Sequence, residues 1–236
     1  VQRLLSTAKV ISLPARRQSL ADLVASRVAF LTDYQDAAYA RRYADTVERV
    51  REAESRISPK TLLAEAVASN LFKLMAYKDE YEVARLHTDA AFAQKIAGMF
   101  EGEYKLAYHL APPLLARRNA QGELVKQRFG PWMGAAFRLL ARLKGLRGTA
   151  LDVFGHTEER RGERALIADY LRSVEDIIAG LTPANHAQAL ELARIAEHIK
   201  GFGHVKAKNL AATRAKWQAA TEAFRAASPD PLTQAA

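Results

Sequence analysis

The densest chemistry in the chain is the stretch YKDEYEVAR at residues 77–85, where Lys78, Asp79, Glu80, Glu82 and Arg85 are interleaved with Tyr77 and Tyr81. Such a block can pair internally, stay solvated or present a recognition surface. At helical spacing Lys78 stands one turn before Glu82, and Glu82 stands three residues before Arg85, so charges of alternating sign share a face. The spacing predicts a structural ion network of Lys78, Asp79, Glu80, Glu82 and Arg85, each exposed pair contributing about 0.2 to 0.5 kcal/mol. The sharper expectation is that Tyr77 and Tyr81, with Arg85, line a contact surface for a larger partner.

Further candidates are scattered. The six histidines, at 87, 109, 156, 186, 198 and 204, show no ligand spacing, so no metal site is expected. The chain has no cysteine, which removes disulfides, zinc thiolates and cysteine-ligated iron–sulfur clusters. No GxSxG nucleophile motif is present, and no catalytic or cofactor-binding residue is assigned. KGLRGT at 144–149 offers Lys144 and Arg147 to an anion such as a coenzyme A phosphate, or else forms a helix C-cap with basic residues complementing the dipole. His204 and Lys206, in the glycine-flanked GFGHVK, and His109 are the remaining contact candidates.

The elements that must hold these residues are mostly helical. Ser19 caps a first helix with Asp22 in the reciprocal position. An apolar face then continues to Ser58 as one long helix, or as two meeting near Thr32 and Asp33. A wide stripe from Leu62 to Met75 runs without glycine or proline into the charged block. Tyr104, Leu106, Tyr108 and Leu110 alternate with other residues at the two-residue period of a strand, and LVKQRFG at 124–130 supplies its partner. Pro131 opens a helix with Trp132, Ala136, Leu139, Leu140 and Leu143 inward. Thr157 caps another that stops at Gly180, Thr182 and Pro183 start one running to Lys200, and a last one carries Leu210, Trp217 and Phe224. The expected fold is mainly α, a single helical domain of about seven to eight helices with one small antiparallel β-hairpin near residues 103–129. Residues 1–18 read as a lead-in, 19–226 as the domain and 227–236 as a disordered tail.

Composition sets the remaining bounds. With 236 residues, 49% hydrophobic and 26% charged, the sequence reads as an ordinary globular chain. No apolar run reaches the roughly 18 residues of a membrane span, and no secretory signal is evident, so a cytoplasmic location is expected. A first residue of valine fits a fragment of a longer chain. The net charge of +9 concentrates at 117–147, where eight Lys or Arg face one Glu, with Phe129, Trp132 and Phe137 interleaved. That combination suits single-stranded nucleic acid, but the aromatics fall where a hairpin and helix need core anchors, and core is the preferred reading.

Several blocks together carry more information than any one motif. They are LVASRVAFLTDYQDAAYARRY at 23–43, YKDEYEVARL at 77–86, HLAPPLLARR at 109–118, FGPWM at 129–133, RLLARLKGLRGTALDVFGHTEERR at 138–161 and GFGHVKAKNL at 201–210. In this order they resemble the C-terminal region of the long, fused form of indolepyruvate ferredoxin oxidoreductase, over about residues 19–225. The resemblance implies a parent enzyme that oxidatively decarboxylates aryl pyruvates to acyl-CoA and passes electrons to ferredoxin. It implies thiamine diphosphate, magnesium, an iron–sulfur cluster and coenzyme A in that parent, with none of them expected in this chain. The partners implied are the remaining domains or subunits of the enzyme. The alternative is a basic helical module that binds nucleic acid or an acidic protein.

Overall fold

The computed structural model describes residues 18–111, 117–118, 124–201 and 203–228, and the architecture is mainly helical. In chain order the helices are α1 (Leu20–Tyr34), α2 (Ala37–Ser55), α3 (Leu62–Met75), α4 (Glu80–Thr88) and α5 (Ala90–Ala97), then α6 (Met133–Arg142), α7 (Glu158–Gly180), α8 (His186–Ala193) and α9 (Gly203–Ala226). Among the described residues there are nine α-helices: the stretch to Ser58 is two helices, as one of the two expectations had it, with the junction at Asp36, and the stripe leading into the charged block is broken once more at Asp79. Asp36 accepts the Tyr39 N–H at 2.7 Å and separates α1 from α2. Asp79 accepts the Glu82 N–H at 2.8 Å and separates α3 from α4. A short polar side chain that captures an N–H three residues on begins a helix without any glycine or proline.

α3 is the central element. Leu63, Ala64, Val67, Ala68, Leu71, Leu74 and Met75 are all at most 1% exposed, as expected of a helix that is apolar nearly all round. Its neighbours α1, α2, α7, α8 and α9 contribute Tyr34, Tyr43, Val50, Tyr170, Val174, Ile177, Leu192 and Phe224 to the same core. Three tyrosine hydroxyls serve its carbonyls and those just beyond. Tyr43 donates to Ala68 at 3.1 Å, Tyr39 to Met75 at 3.0 Å and Tyr34 to Tyr77 at 2.9 Å. The Met75 carbonyl is one of those left without an intrahelical donor at a helix C-terminus, and Tyr39 satisfies it.

The opposite end of α3 is held by a residue the sequence did not advertise. Glu54, 1% exposed, accepts the Leu63 and Ala64 N–H groups, each at 2.9 Å, one on each carboxylate oxygen. A carboxylate here meets both orphan donors and the positive end of the helix dipole. His186 Nε2 stands 2.9 Å from the same carboxylate and ties α8 to this junction.

A smaller core joins α4 and α6 to a two-stranded ribbon. Ala84, Met133 and Phe137 are buried together, with Val83, Tyr108, Leu110, Phe129 and Leu140 packed around them. β1 (Tyr108–Leu110) pairs antiparallel with β4 (Gln127–Phe129), and β2 (Arg117–Arg118) with β3 (Leu124–Val125). This is the hairpin expected near 103–129.

The inward face expected for α6 needs correction. Met133 and Phe137 are its buried residues, while Trp132, Leu139 and Leu143 are 62%, 61% and 40% exposed. The helix has two apolar stripes, and periodicity cannot say which one a neighbour covers. The helix expected from Thr182 to Lys200 is shorter as well: α8 ends at Ala193 and a 3-10 turn follows at Ile195–His198. Thr182 and Asn185 still exchange reciprocal backbone–side-chain hydrogen bonds ahead of α8. Of the lead-in and tail, residues 1–17 and 229–236 lie outside the described residues. Ser228 is described: its hydroxyl donates to Phe224 O at 2.9 Å and accepts from Asn185 at 3.0 Å.

Candidate functional site

The fold brings the 77–85 block against the KGLRGTALDVFGHTEERR segment and pairs Asp79, Glu80 and Tyr81 of the first with Arg147, Arg160 and Asp152 of the second. Asp79 is the hinge. Its Oδ1 caps α4, and the same carboxylate receives Arg147 Nε on Oδ2 at 2.6 Å and Arg147 Nη2 on Oδ1 at 3.0 Å. Arg147 Nη1 donates to the Tyr34 carbonyl at 2.6 Å, and its guanidinium carbon lies 3.7 Å from the Tyr34 ring centroid. Both side chains of the pair are 3% exposed. Burial pulls the Arg147 guanidinium down, but the Asp79 hydrogen bonds and the Tyr34 side chain outweigh it and hold the group above its ordinary value.

Neighbouring contacts extend the same joint. Arg160, in the first turn of α7, approaches Glu80 with Nε at 3.3 Å and Nη2 at 3.2 Å. Tyr81 donates to Asp152 at 3.1 Å. Asp152, 2% exposed, also accepts the N–H groups of Gly148, Phe154 and Gly155, so one carboxylate organises the whole 148–155 loop. Burial, followed by Asp152, pushes the Tyr81 hydroxyl well above the ordinary phenol range; burial, followed by Asp79, does the same to Tyr34. Glu82 and Arg85 form the expected i,i+3 pair, at 2.7 and 2.8 Å.

Several expectations change with this geometry. Lys78 precedes the cap of α4, so it does not share a helical face with Glu82 and Arg85. Tyr77 and Tyr81 are 5% and 2% exposed and therefore line the interior rather than a partner surface. Lys144 and Arg147 do not form an open anion cradle. Lys144 Nζ donates to the Thr32 and Asp33 carbonyls and Arg147 to that of Tyr34, so both cations serve the C-terminus of α1. The C-cap alternative had the correct chemistry and the wrong helix, since the dipole being complemented is that of an element over a hundred residues earlier. Lys206 pairs with Glu163 of α7. His109 is exposed on β1 opposite Arg128. His204 lies in the first turn of α9, and its side chain is outside those described.

His87 is a functional-looking residue that spacing did not single out. Its ring stacks on Phe137 at 5.0 Å and meets the edges of Phe92 and Tyr108 at 5.4 and 5.5 Å, and Nδ1 is buried with no hydrogen-bond partner among the described residues. Burial, with Lys78 nearby, holds its pKa below the ordinary histidine value. Elsewhere, an open groove of about 600 Å³ between α7 and α9 contains Trp217, and most of its charges are paired, Asp169 with Arg172, Asp176 with Arg225 and Glu175 with Arg49. Among the described residues no group of three or more His, Asp or Glu is arranged to hold a metal ion, and no helix is long and apolar enough to cross a membrane.

The sequence pattern of the family described as "Family of unknown function (DUF6537)" matches residues 20–219. No curated protein and no solved structure matched the chain.

Proposed function

The chain belongs to the DUF6537 family, a family of unknown function, and we propose that it acts as the non-catalytic C-terminal helical domain of a fused indolepyruvate (2-oxoacid) ferredoxin oxidoreductase, packing on the catalytic domains in the cytoplasm. Two sequence blocks that carry the resemblance, 77–86 and 138–161, meet in the folded chain. The observation that carries the reading is how their charged groups are used: Asp79 with Arg147, Glu80 with Arg160 and Tyr81 with Asp152 pair with one another inside the domain. Groups so engaged hold an architecture in place. Their chemistry is that of a scaffold, and the work of the domain falls to its outer surface.

In this reading thiamine diphosphate, magnesium, the iron–sulfur cluster and coenzyme A belong to the other domains of the parent enzyme. Those domains decarboxylate an aryl pyruvate and deliver electrons to ferredoxin, while this domain supports their assembly. The test is direct binding. The purified chain is titrated with the separately produced catalytic portion of such an oxidoreductase and followed by calorimetry and sedimentation. A saturable complex, together with failure of the chain alone to reduce ferredoxin with indolepyruvate, is expected. Absence of a complex overturns the reading, as does turnover by the chain alone.

A further inference from the structure

α6 is apolar on two sides and covered on one. Met133 and Phe137 enter the small core, while Trp132, Leu139 and Leu143 remain 62%, 61% and 40% exposed. Trp132 immediately precedes α6 and Leu143 opens the 3-10 turn that follows it; at about 3.6 residues per turn, positions separated by seven and then four fall on the same side, so the three large side chains line one side of the segment. Exposed Ala135 and Ala136 lie between them and keep the stripe low. Trp132 is steadied by Phe129, whose ring meets it edge-on at 5.9 Å. Single exposed apolar residues are ordinary, but an aligned set on a well-formed helix marks a contact surface.

The charges beside the stripe narrow the choice of occupant. Arg138 and Arg142, one turn apart on the same edge, are exposed and make no ion pair among the described residues. The lead-in of residues 1–17 carries four basic residues and no acidic one, so it would bring like charge to that edge. A second copy packing α6 on α6 about a twofold axis would set these arginines against each other or against the apolar Leu140 side of the stripe, and α6 itself carries no carboxylate to meet them. Charge complementarity requires acids beside the apolar surface that covers the stripe.

We propose that the outer stripe of α6, Trp132, Leu139 and Leu143 edged by Arg138 and Arg142, is the docking face of this domain, and that its occupant is an apolar groove bordered by Asp or Glu on the catalytic portion of the parent enzyme. This rests on the reading that the chain packs on such a portion. The apolar line supplies affinity. The arginine edge sets orientation and rate of encounter, as charges at an interface rim do.

The experiment uses the full chain and the catalytic portion of a fused indolepyruvate ferredoxin oxidoreductase as the probe. Binding is measured for the wild type, for Leu139→Asp and for the double variant Arg138→Glu with Arg142→Glu, each checked for helical content by circular dichroism. Trp132 is followed by acrylamide quenching, using Trp132→Phe to isolate its signal from Trp217. The expected result is a loss of affinity of at least tenfold for Leu139→Asp, weaker and less salt-sensitive binding for the arginine variant, and protection of Trp132 in the complex. If Leu139→Asp fails to fold, the arginine variant and the quenching carry the test. A complex that forms with wild-type affinity in the variants and leaves Trp132 quenchable overturns the docking face while the assembly reading stands. No complex with the wild type overturns both. A wild-type dimer that Leu139→Asp disperses makes a second copy the occupant and overturns the proposal.

Discussion

Arg147 grips Asp79 with two nitrogens, at 2.6 and 3.0 Å, while its third donates to the carbonyl of Tyr34. One guanidinium therefore joins the cap of α4 to the end of α1, at a point where the two side chains are 3% exposed. Removing one partner of such a pair leaves the other as an uncompensated buried charge. Arg147→Ala is expected to destabilise the domain by about 3 to 5 kcal/mol, measured by urea denaturation. Arg147→Lys loses the fork and recovers only part of that stability, whereas Asp79→Asn combined with Arg147→Met costs less than Arg147→Ala alone.

Glu54 poses a similar question without a dedicated cation. Its two oxygens take the N–H groups of Leu63 and Ala64 in the first turn of α3, and both contacts are buried. Glu54→Gln preserves shape but offers one acceptor where two are needed, leaving an amide NH2 facing a backbone N–H. A loss of about 1 to 3 kcal/mol is expected, visible as a lower thermal midpoint with an unchanged helical spectrum below the transition.

Gly155 has no room for a side chain. A Cβ there would lie 2.3 Å from Asp152 Oδ2, and that carboxylate is held by Tyr81 and three backbone donors. Gly155→Ala must displace the group that organises the loop, at a cost of about 1 to 3 kcal/mol. Serine at the same position costs no less. Chemical denaturation of the pair of variants checks both statements.

The register of α6 can be read by truncation. Phe137, 6% exposed, fills the small core, so Phe137→Ala should cost about 3 to 5 kcal/mol. Leu139, 61% exposed, should change stability by no more than about 0.5 kcal/mol when shortened to alanine. Equal effects at the two positions would refute the orientation described for this helix.

His87 gives the domain a defined response to acid. Burial lowers its folded pKa below the ordinary value of about 6.5. As pH falls, the unfolded chain takes up the proton first. The contribution of His87 is thus fully present above the ordinary value and is lost as pH falls through it toward the depressed folded value. His87→Phe keeps the stack on Phe137 and removes the titration. Its thermal midpoint should vary less with pH than that of the wild type between roughly pH 7 and 5.

What could be read in the sequence was local chemistry. Ser19 and Thr157 announce their helices because the acceptor and the N–H it captures are three residues apart, and both caps form. Asp36 and Asp79 act by the same rule; a junction is legible within a few residues of Asp36, whereas the apolar stripe leading into Asp79 suggests continuity. Asp79 with Glu82 three residues later was a usable signal. Tyr77 and Tyr81 looked like surface anchors because an aromatic beside charge reads as amphipathic; only the arrival of Arg147 and Asp152, 68 and 71 residues away from their partners, turns that segment inward. A longer separation, 111 to 113 residues, conceals Lys144 and Arg147 at the end of α1. For α6 the pattern contained both apolar faces, and choosing between them required knowing where α4 lies. Glu54 gave no local sign at all, since its worth depends on a helix that begins on the far side of a turn.

α4, α6 and the ribbon share a core of their own, and polar links such as those of Arg147, Arg160 and Lys144 help join them to the larger one. Such a lobe can open as a cooperative unit at a free energy below that of global unfolding. Backbone amides of α4 and α6 should then exchange with solvent before those of α3 and α7. A ligand seated on the outside of α6 would slow exchange in α4 without touching it.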